Sequence, residues 1–373
     1  MDIYIICESV DNNALWVTDI IDGAIHEAIR RGLNINAATD GRIDERIRLR
    51  PENGERRMAL VIGYSLNWIN ETLTNLSLID VEPILVSVYQ HRLKSEYSYV
   101  SFNTVEAMRS LVGYLVGTGR ERIALFGLHR ETIGDMSKLG GFVTGMRDAG
   151  LTFRGEDIYS RGLIADCAER FYSNISRYQA VMCTSDLIAV YLIKYLADRG
   201  VRVPEDIFVT GFGNWSAVEN CGISITRMRT DLAELGIQAV KHYVHMRNSP
   251  QTLHSSAVIS CSLQIGRSTA NLPATSPSRI GGFPVTNSES SPVYNSDPDI
   301  MRVLRLELFV RSADRTDISI LRAISENKTY AQISEAENVS ESTIKYRLSK
   351  LQRVCGFTNR GELVSLITEF GLI

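Results

Sequence analysis

Nothing in this 373-residue chain approaches the ~20 consecutive apolar residues of a membrane-spanning helix, so no membrane association is expected. Cysteine is sparse and unpaired in pattern: Cys7, Cys167, Cys183, Cys221, Cys261 and Cys355 are scattered and form no C-x-x-C pair. That spacing suits neither a zinc ribbon nor a disulfide frame. Three of the six fall inside expected buried strands, as reduced core thiols of a cytosolic protein do. The six histidines are dispersed, and no H-E-x-x-H pair, G-x-S-x-G elbow or G-x-x-x-x-G-K-[ST] loop is present. No metal, no cofactor and no catalytic constellation is therefore expected. An excess of one charge is missing too: 40 Lys+Arg against 43 Asp+Glu leave −3, which gives no global affinity for a polyanion. The chain opens directly into the strand-like Ile3-Tyr4-Ile5-Ile6 with no basic leader ahead of it, which reads as cytoplasmic.

What is present is periodic. From residue 1 to about 268, short β-branched runs alternate with amphipathic helical stretches. The strands read as 3–7, 34–37, 59–63, 83–88, 97–102, 122–127, 180–183, 207–212 and 257–264. Helices are expected near 16–31, 104–116, 138–149, 186–199 and 231–246. Near-continuous apolar strands in such an alternation predict parallel sheets covered by helices on both faces. Some 268 residues are too many for one such core and suit two similar halves.

Residues 269–298 break the pattern. Five of the nine prolines lie there with six serines and Gly281-Gly282, the composition of a linker. Five helical stretches come after it, near 300–311, 318–325, 330–336, 341–354 and 360–370. Charge shifts slightly across the break, from 29 Lys+Arg and 33 Asp+Glu before residue 299 to 11 and 10 after it. Met301, Leu304, Leu308 and Val310 offer the first of these helices an apolar seam for a dimer.

The fourth stretch concentrates its charge. Ile344, Leu348 and Leu351 recur at helical spacing, and at 100° per residue Ser342, Lys345, Tyr346, Ser349, Lys350 and Arg353 fall opposite them. Residues 342–354 hold four basic side chains and no acidic one. Such a helix buries one face in a small core and offers the other to a polyanion. Ser340 is a fitting N-cap, and Asn359-Arg360-Gly361-Glu362 has the form of a capping box.

Residues 317–373 resemble the helix-turn-helix DNA-binding domain of LuxR-type regulators. The likeness runs through Tyr330-Ala331-Gln332-Ile333-Ser334, Val339-Ser340-Glu341-Ser342-Thr343-Ile344-Lys345 and Asn359-Arg360-Gly361-Glu362-Leu363-Val364. Where that family opens with Thr-x-Arg-Glu, this chain has Asp314-Arg315-Thr316-Asp317. The resemblance implies that Lys345, Tyr346 and Ser349 face bases of double-stranded DNA, with Thr343, Arg347, Lys350 and Arg353 at phosphates.

Residues 1–268 resemble the effector-binding core of the LacI/GalR family, which has the periplasmic-binding-protein fold. The residues that carry this are Val181-Met182-Cys183-Thr184-Ser185-Asp186, Leu196-Ala197-Asp198-Arg199-Gly200-Val201 with Val203-Pro204-Glu205-Asp206-Ile207, Gly211-Phe212, Ile225-Thr226-Arg227 and Gly266-Arg267-Ser268. The implied fold is α/β, with two Rossmann-like subdomains: approximately 1–120 with 223–253, and 121–222 with 254–268. A linker over 269–298 and a small all-α helix-turn-helix domain over 299–373 complete the expected organisation.

Two parallel sheets facing each other place ligands beyond their strand ends. The strand-end candidates are Glu8, Ser9, Tyr64, Asn103, His129, Asp186, Asn214 and Trp215. The family resemblance makes Asp186 a ligand-contacting acid, whose carboxylate can accept two sugar hydroxyls; it fits equally as the cap of the helix it opens. Trp16, Tyr64 and Trp215 suit the apolar face of a sugar, or plain wall packing. Lys138 stands where the family often carries an arginine and suits an anionic effector. Gly213 replaces a frequent aspartate, which leaves Asn214 as the nearest polar group.

The expectation is a cytoplasmic, dimeric, ligand-responsive transcription regulator, with a sugar-like or anionic metabolite in an interlobe cleft. A non-exported solute-binding protein whose helical tail contacts other proteins is the alternative, and an enzyme is not expected.

Overall fold

The computed structural model describes residues 2–8, 15–43, 47, 56–87, 93, 96–160, 162–215, 224–249, 251–270 and 297–373. The strands in chain order are β1 (Asp2–Cys7), β2 (Asn34–Ala38), β3 (Met58–Ile62), β4 (Glu82–Val86), β5 (Ser98–Phe102), β6 (Ile123–Leu128), β7 (Ile158–Ser160), β8 (Ala180–Cys183), β9 (Phe208–Gly213), β10 (Thr226–Arg229), β11 (Ser256–Ile259) and β12 (Ser262–Gln264). The helices are α1 (Leu15–Arg30), α2 (Leu66–Leu78), α3 (Thr104–Gly117), α4 (Ile133–Asp148), α5 (Ile164–Tyr172), α6 (Asp186–Ala197), α7 (Leu232–Asn248), α8 (Pro298–Ser312), α9 (Arg315–Ser325), α10 (Tyr330–Glu337), α11 (Glu341–Cys355) and α12 (Arg360–Glu369).

Two six-stranded sheets result, in the orders β11-β5-β4-β3-β1-β2 and β12-β10-β9-β8-β6-β7. All five pairings of the first sheet are parallel. Its central strand Met58-Ala59-Leu60-Val61-Ile62 is buried throughout, as a strand covered on both faces must be. By compactness the chain divides into a first unit of Met1–Arg161 with Met228–Gln264 and a second of Gly162–Arg227 with Ile265–Ile373.

In the first unit, α1 and α7 cover one face of the first sheet through Val17, Ile20, Ala24, Leu235, Ala239, Val240 and Tyr243. The two helices nearly touch: a Cβ on Gly23 would lie 2.0 Å from the Ala233 carbonyl oxygen, and one on Gly236 1.9 Å from that of Ile20. On the opposite face α2 contributes Ile69, Leu73 and Leu76 against Ile6, Ala59, Val61 and Leu85.

In the second unit, helices α9 to α12 close over Phe309 of α8 around Ile320, Leu321, Ile333, Ile344, Leu348, Leu351, Leu363 and Ile367. Helix ends are well defined by short polar caps. Asp314 and Asp317 cap α9 reciprocally, and Thr329 and Gln332 do the same for α10. Ser340 accepts from Thr343 N at 3.1 Å to open α11, and Gly356 closes it with φ +67°. The expected box at the start of α12 is half made. Asn359 accepts from Glu362 N at 3.0 Å, but the Glu362 carboxylate reaches Thr358 N, one residue beyond the cap.

Three expectations on organisation are corrected. The single strand read at 257–264 is two, β11 in the first sheet and β12 in the second, because the chain changes sheet at Ser260-Cys261. For the same reason the split of subdomains shifts. Strand β10, within the stretch assigned to the first subdomain, pairs in the second sheet, and β11, assigned to the second, pairs in the first. Helices α2 and α5 were not expected, and α4 starts at Ile133 rather than residue 138.

The proposed linker at 269–298 lies almost entirely outside the described residues. On the helix after it, the seam residue Leu304 is buried within the chain, Met301 is half-buried, and the half-buried Leu308 and Val310 pack against the helical core. Ile300, Val303, Leu306 and Phe309 are buried beside them. Helix α8 packs on α5 and α6. The Asp297 carboxylate caps it through Asp299 N and Ile300 N with one oxygen, and accepts from Ile164 N at 2.7 Å with the other. Tyr191 and Lys194 of α6 add bonds to Asp299 at 3.4 Å and Glu369 at 3.7 Å, and Glu369 also accepts from Arg302 at 2.7 Å.

Candidate functional site: a reading helix and two groups of strand-end residues

Helix α11 carries the separation of faces that its sequence implies. Ile344, Leu348, Leu351 and Cys355 are buried, while Ser342, Lys345, Tyr346, Ser349, Lys350 and Arg353 are exposed. Tyr346 is 70% exposed, unusual for an aromatic side chain with no partner surface. Among the described residues no carboxylate pairs with Lys350 or Arg353, and Lys345 lies 4.0 Å from Glu341, a weak contact.

Thr343 and Arg347 are half-buried. The Thr343 hydroxyl lies 2.8 Å from that of Ser340, inside the cap. Arg347 donates to Asp314 and Asp317 at 2.9 Å each, and these carboxylates raise its pKa. Its guanidinium therefore fastens α11 to the start of α9, and Arg347 itself holds the Asp314 carboxyl below its usual range. The segment Asp314-Arg315-Thr316-Asp317 thus supplies both the cap and the first-turn acid of α9, with Asp314 as cap and Asp317 in the N3 position.

The strand-end candidates gather within each unit. In the first, the buried Glu8 carboxylate accepts from Tyr64 N at 2.7 Å and Ser65 N at 3.0 Å, and from the Ser65 hydroxyl. It thereby anchors the start of α2. Trp16 meets the Tyr64 ring edge-on at 6.5 Å. The Tyr64 carbonyl accepts from Ile133 N at 3.1 Å, which ties the end of β3 to the start of α4. On α4, Asp135 accepts from His129 N at 2.9 Å and from the Lys138 ammonium at 3.0 Å. Lys138 also draws down the pKa of Cys261, though burial dominates and pushes that thiol up to about 11. Asn103 caps α3 through Glu106 N at 3.4 Å. Ser9 lies outside the described residues.

In the second unit, Asp186 is fully buried. Its Oδ2 accepts from Arg227 at 3.1 Å and from Trp215 N at 3.3 Å. Its Oδ1 has no hydrogen-bond partner among the described residues. Burial raises its pKa to about 6, against the lowering by Arg227 and Trp215 N, with Glu307 adding to the rise. The cap of α6 is Ser185, which accepts from Ile188 N at 3.3 Å; Asp186 is the first helical residue. Arg227 also donates to the Trp215 carbonyl at 3.2 Å, and Asn214 is half-buried beside it.

Sequence reasoning did not single out Arg227, Asp135 or Cys261. Arg227 carried little signal, because its strand Thr226-Arg227-Met228-Arg229 is polar throughout except for Met228; among the described residues it is the largest fully buried side chain. The described residues contain no group of three His, Cys, Asp or Glu placed to hold a metal, and none of their helices is long and apolar enough to cross a membrane.

Comparison with known proteins bears on both parts. A family model described as periplasmic binding protein-like domain matches residues 112–269. One described as winged helix-turn-helix DNA-binding matches residues 314–353, which are α9, α10 and most of α11. The chain is similar to the HTH-type transcriptional repressor PurR of Vibrio vulnificus, 24% identical over 233 residues that cover 60% of this chain and 69% of the repressor. It is also similar in structure to a LacI family transcriptional regulator from Silicibacter pomeroyi, with a TM-score of 0.58, 20% identity, and coverage of 73% of this chain and all of that one. A transcriptional regulator CelR in complex with cellobiose matches with a TM-score of 0.59 and 19% identity, over 72% of this chain and 84% of that one. The chain thus has the two-sheet fold of periplasmic-binding-protein type that the LacI-family regulators share, joined at its C-terminal end to a helix-turn-helix unit.

Proposed function

We propose that this chain is a ligand-responsive, DNA-binding transcription regulator. A small molecule held at the strand ends alters how the C-terminal unit engages duplex DNA. The observation that carries the reading is the outer face of α11, whose Lys345, Lys350 and Arg353 are exposed around Tyr346 on a helix fixed by its own caps and core. The proposed base-facing residues are Tyr346 and Ser349 with Ser342 beside them, and Lys350 and Arg353 take phosphates. Thr343 and Arg347 support the helix from behind.

Within this reading the four helices α9 to α12, all helical among the described residues, favour a LuxR-like arrangement over one with a β-wing. The effector is sugar-like or anionic. The candidate contacts in the first unit are Lys138, His129 and Asp135, which are bonded to one another, and Glu8, Trp16, Tyr64 and Asn103; the candidates in the second unit are Asp186, Asn214 and Trp215. A buried carboxylate oxygen with no partner, such as Asp186 Oδ1, is the kind of group a ligand hydroxyl satisfies. A homodimer in the cytoplasm completes the proposal, since one short helix reads few bases. The PurR repressor and the LacI family regulator to which it is similar are transcription regulators, which supports this reading.

The test has two arms on the full chain. A duplex enriched from a random pool should bind with steep salt dependence, and Ser349→Ala with Tyr346→Ala should weaken it by about tenfold or more. Failure to enrich any duplex would refute DNA binding. A thermal-shift screen of sugars and sugar phosphates should find a stabilising compound whose shift disappears in Lys138→Ala.

A further inference from the structure

Three side chains from three helices meet beside the reading face. Tyr330 opens α10, Arg360 opens α12, and Lys345 lies on α11. Arg360 Nη1 donates to the Tyr330 hydroxyl at 2.9 Å, and its guanidinium carbon lies 5.7 Å from the ring centroid. The Lys345 ammonium lies 5.7 Å from the same centroid. Two cations thus share one phenol ring at the surface.

Each gains from the ring quadrupole, but together they repel, and the local counter-charge is thin. Glu341 is 4.0 Å from Lys345, and among the described residues no carboxylate pairs with Arg360. The neighbouring Glu362 spends its carboxylate on Thr358. Arg347 of the same unit shows the contrast, with two carboxylates at 2.9 Å each.

We propose that Tyr330, Lys345 and Arg360 form a clamp for one phosphodiester of duplex DNA. The clamp rests on the DNA-binding function above and adds to it a contact outside the reading helix. The chemistry of the donors matches the ligand. The guanidinium offers a planar fork to two phosphate oxygens, and the ammonium a compact charge. The phenol, which already accepts from Arg360, keeps its own O–H to donate. A bound phosphate also relieves the repulsion between the two cations. Because the three groups stand on separate helices, a phosphate held there sets the register of α11 in the groove without reading sequence. Lys345 thereby becomes a backbone contact rather than the base contact its position on the helical wheel suggested.

Fluorescence anisotropy on the full chain tests this, with the enriched duplex and with scrambled duplexes, across about 50 to 200 mM salt. Arg360→Ala should weaken all duplexes alike by about tenfold and lower the slope of log affinity against log salt by about one. Arg360→Lys should keep the slope, and Tyr330→Phe, which retains the ring, should lose less. Circular dichroism melting of the variants should match that of the parent chain. Unchanged affinity and slope in Arg360→Ala, or a loss confined to one base-pair position, would overturn the clamp while leaving DNA binding intact. A parent chain that binds no duplex would remove the regulator reading itself, and the clamp with it.

Discussion

Asp186 and Arg227 place opposite charges in the interior of the second unit, and neither is satisfied by the other alone. Arg227 divides its donors between the Asp186 carboxylate and the Trp215 carbonyl. Asp186 keeps one oxygen without a partner among the described residues. Burial outweighs the nearby cation, so the carboxyl titrates near 6 instead of 3.8. A group whose folded pKa is raised adds stability that is full below the unfolded pKa and is lost as pH rises through the folded one. Melting temperature should therefore fall between about pH 4 and pH 6, and Asp186→Asn should flatten that part of the profile. An identical profile in the variant would place the titrating group elsewhere. The position of Asp186 after a strand was legible from the sequence. Its partner was not, because 41 residues separate it from Arg227, and the two meet only through the sheet order β10-β9-β8, in which β9 lies between the strand that carries Arg227 and the strand that Asp186 follows.

Elements were legible where their periodicity was strong. The stripe Ile344, Leu348, Leu351 became the buried side of α11, and the fully apolar Met58–Ile62 became a central strand. Helix α2, Leu-Asn-Trp-Ile-Asn-Glu-Thr-Leu-Thr-Asn-Leu-Ser-Leu, was not expected, because its Asn and Thr residues are weak helix formers and its stability comes from packing. The run at 257–264 reads as one strand because β propensity carries no information about which sheet a residue joins. Glycine marks a close approach that periodicity does not reveal. Gly236 in the middle of α7 costs helix propensity, yet it lets the α1 backbone approach to contact. Gly236→Ala should force the two helices apart and destabilise the first unit by about 3 kcal/mol in urea unfolding. A variant as stable as the parent chain would mean that the crossing is looser than these distances imply.

At the scale of the whole molecule, the seating of α8 was the least legible feature. Amphipathic spacing showed an apolar face on this helix but could not say whether a second chain or the same one would cover it. The same chain covers it, with α5 and α6 beneath and the caps and ion pairs at its rim. Removing Asp297 takes away both the cap of α8 and the bond to Ile164 N. Asp297→Ala should cost about 2 kcal/mol and raise amide hydrogen exchange across residues 298–312 and at Ile164 together. Exchange that rises in α8 alone would show that the carboxylate serves only its own helix.

The placement of α8 also bears on how such a protein can be rebuilt. It packs on α5 and α6 of the α/β fold, and its Phe309 belongs to the helical bundle, so one rod is shared by two cores. A chimera that keeps residues up to Ser312 and grafts a foreign DNA-binding module onto that end inherits a mounting already bolted in place. One that cuts ahead of Asp297 discards it.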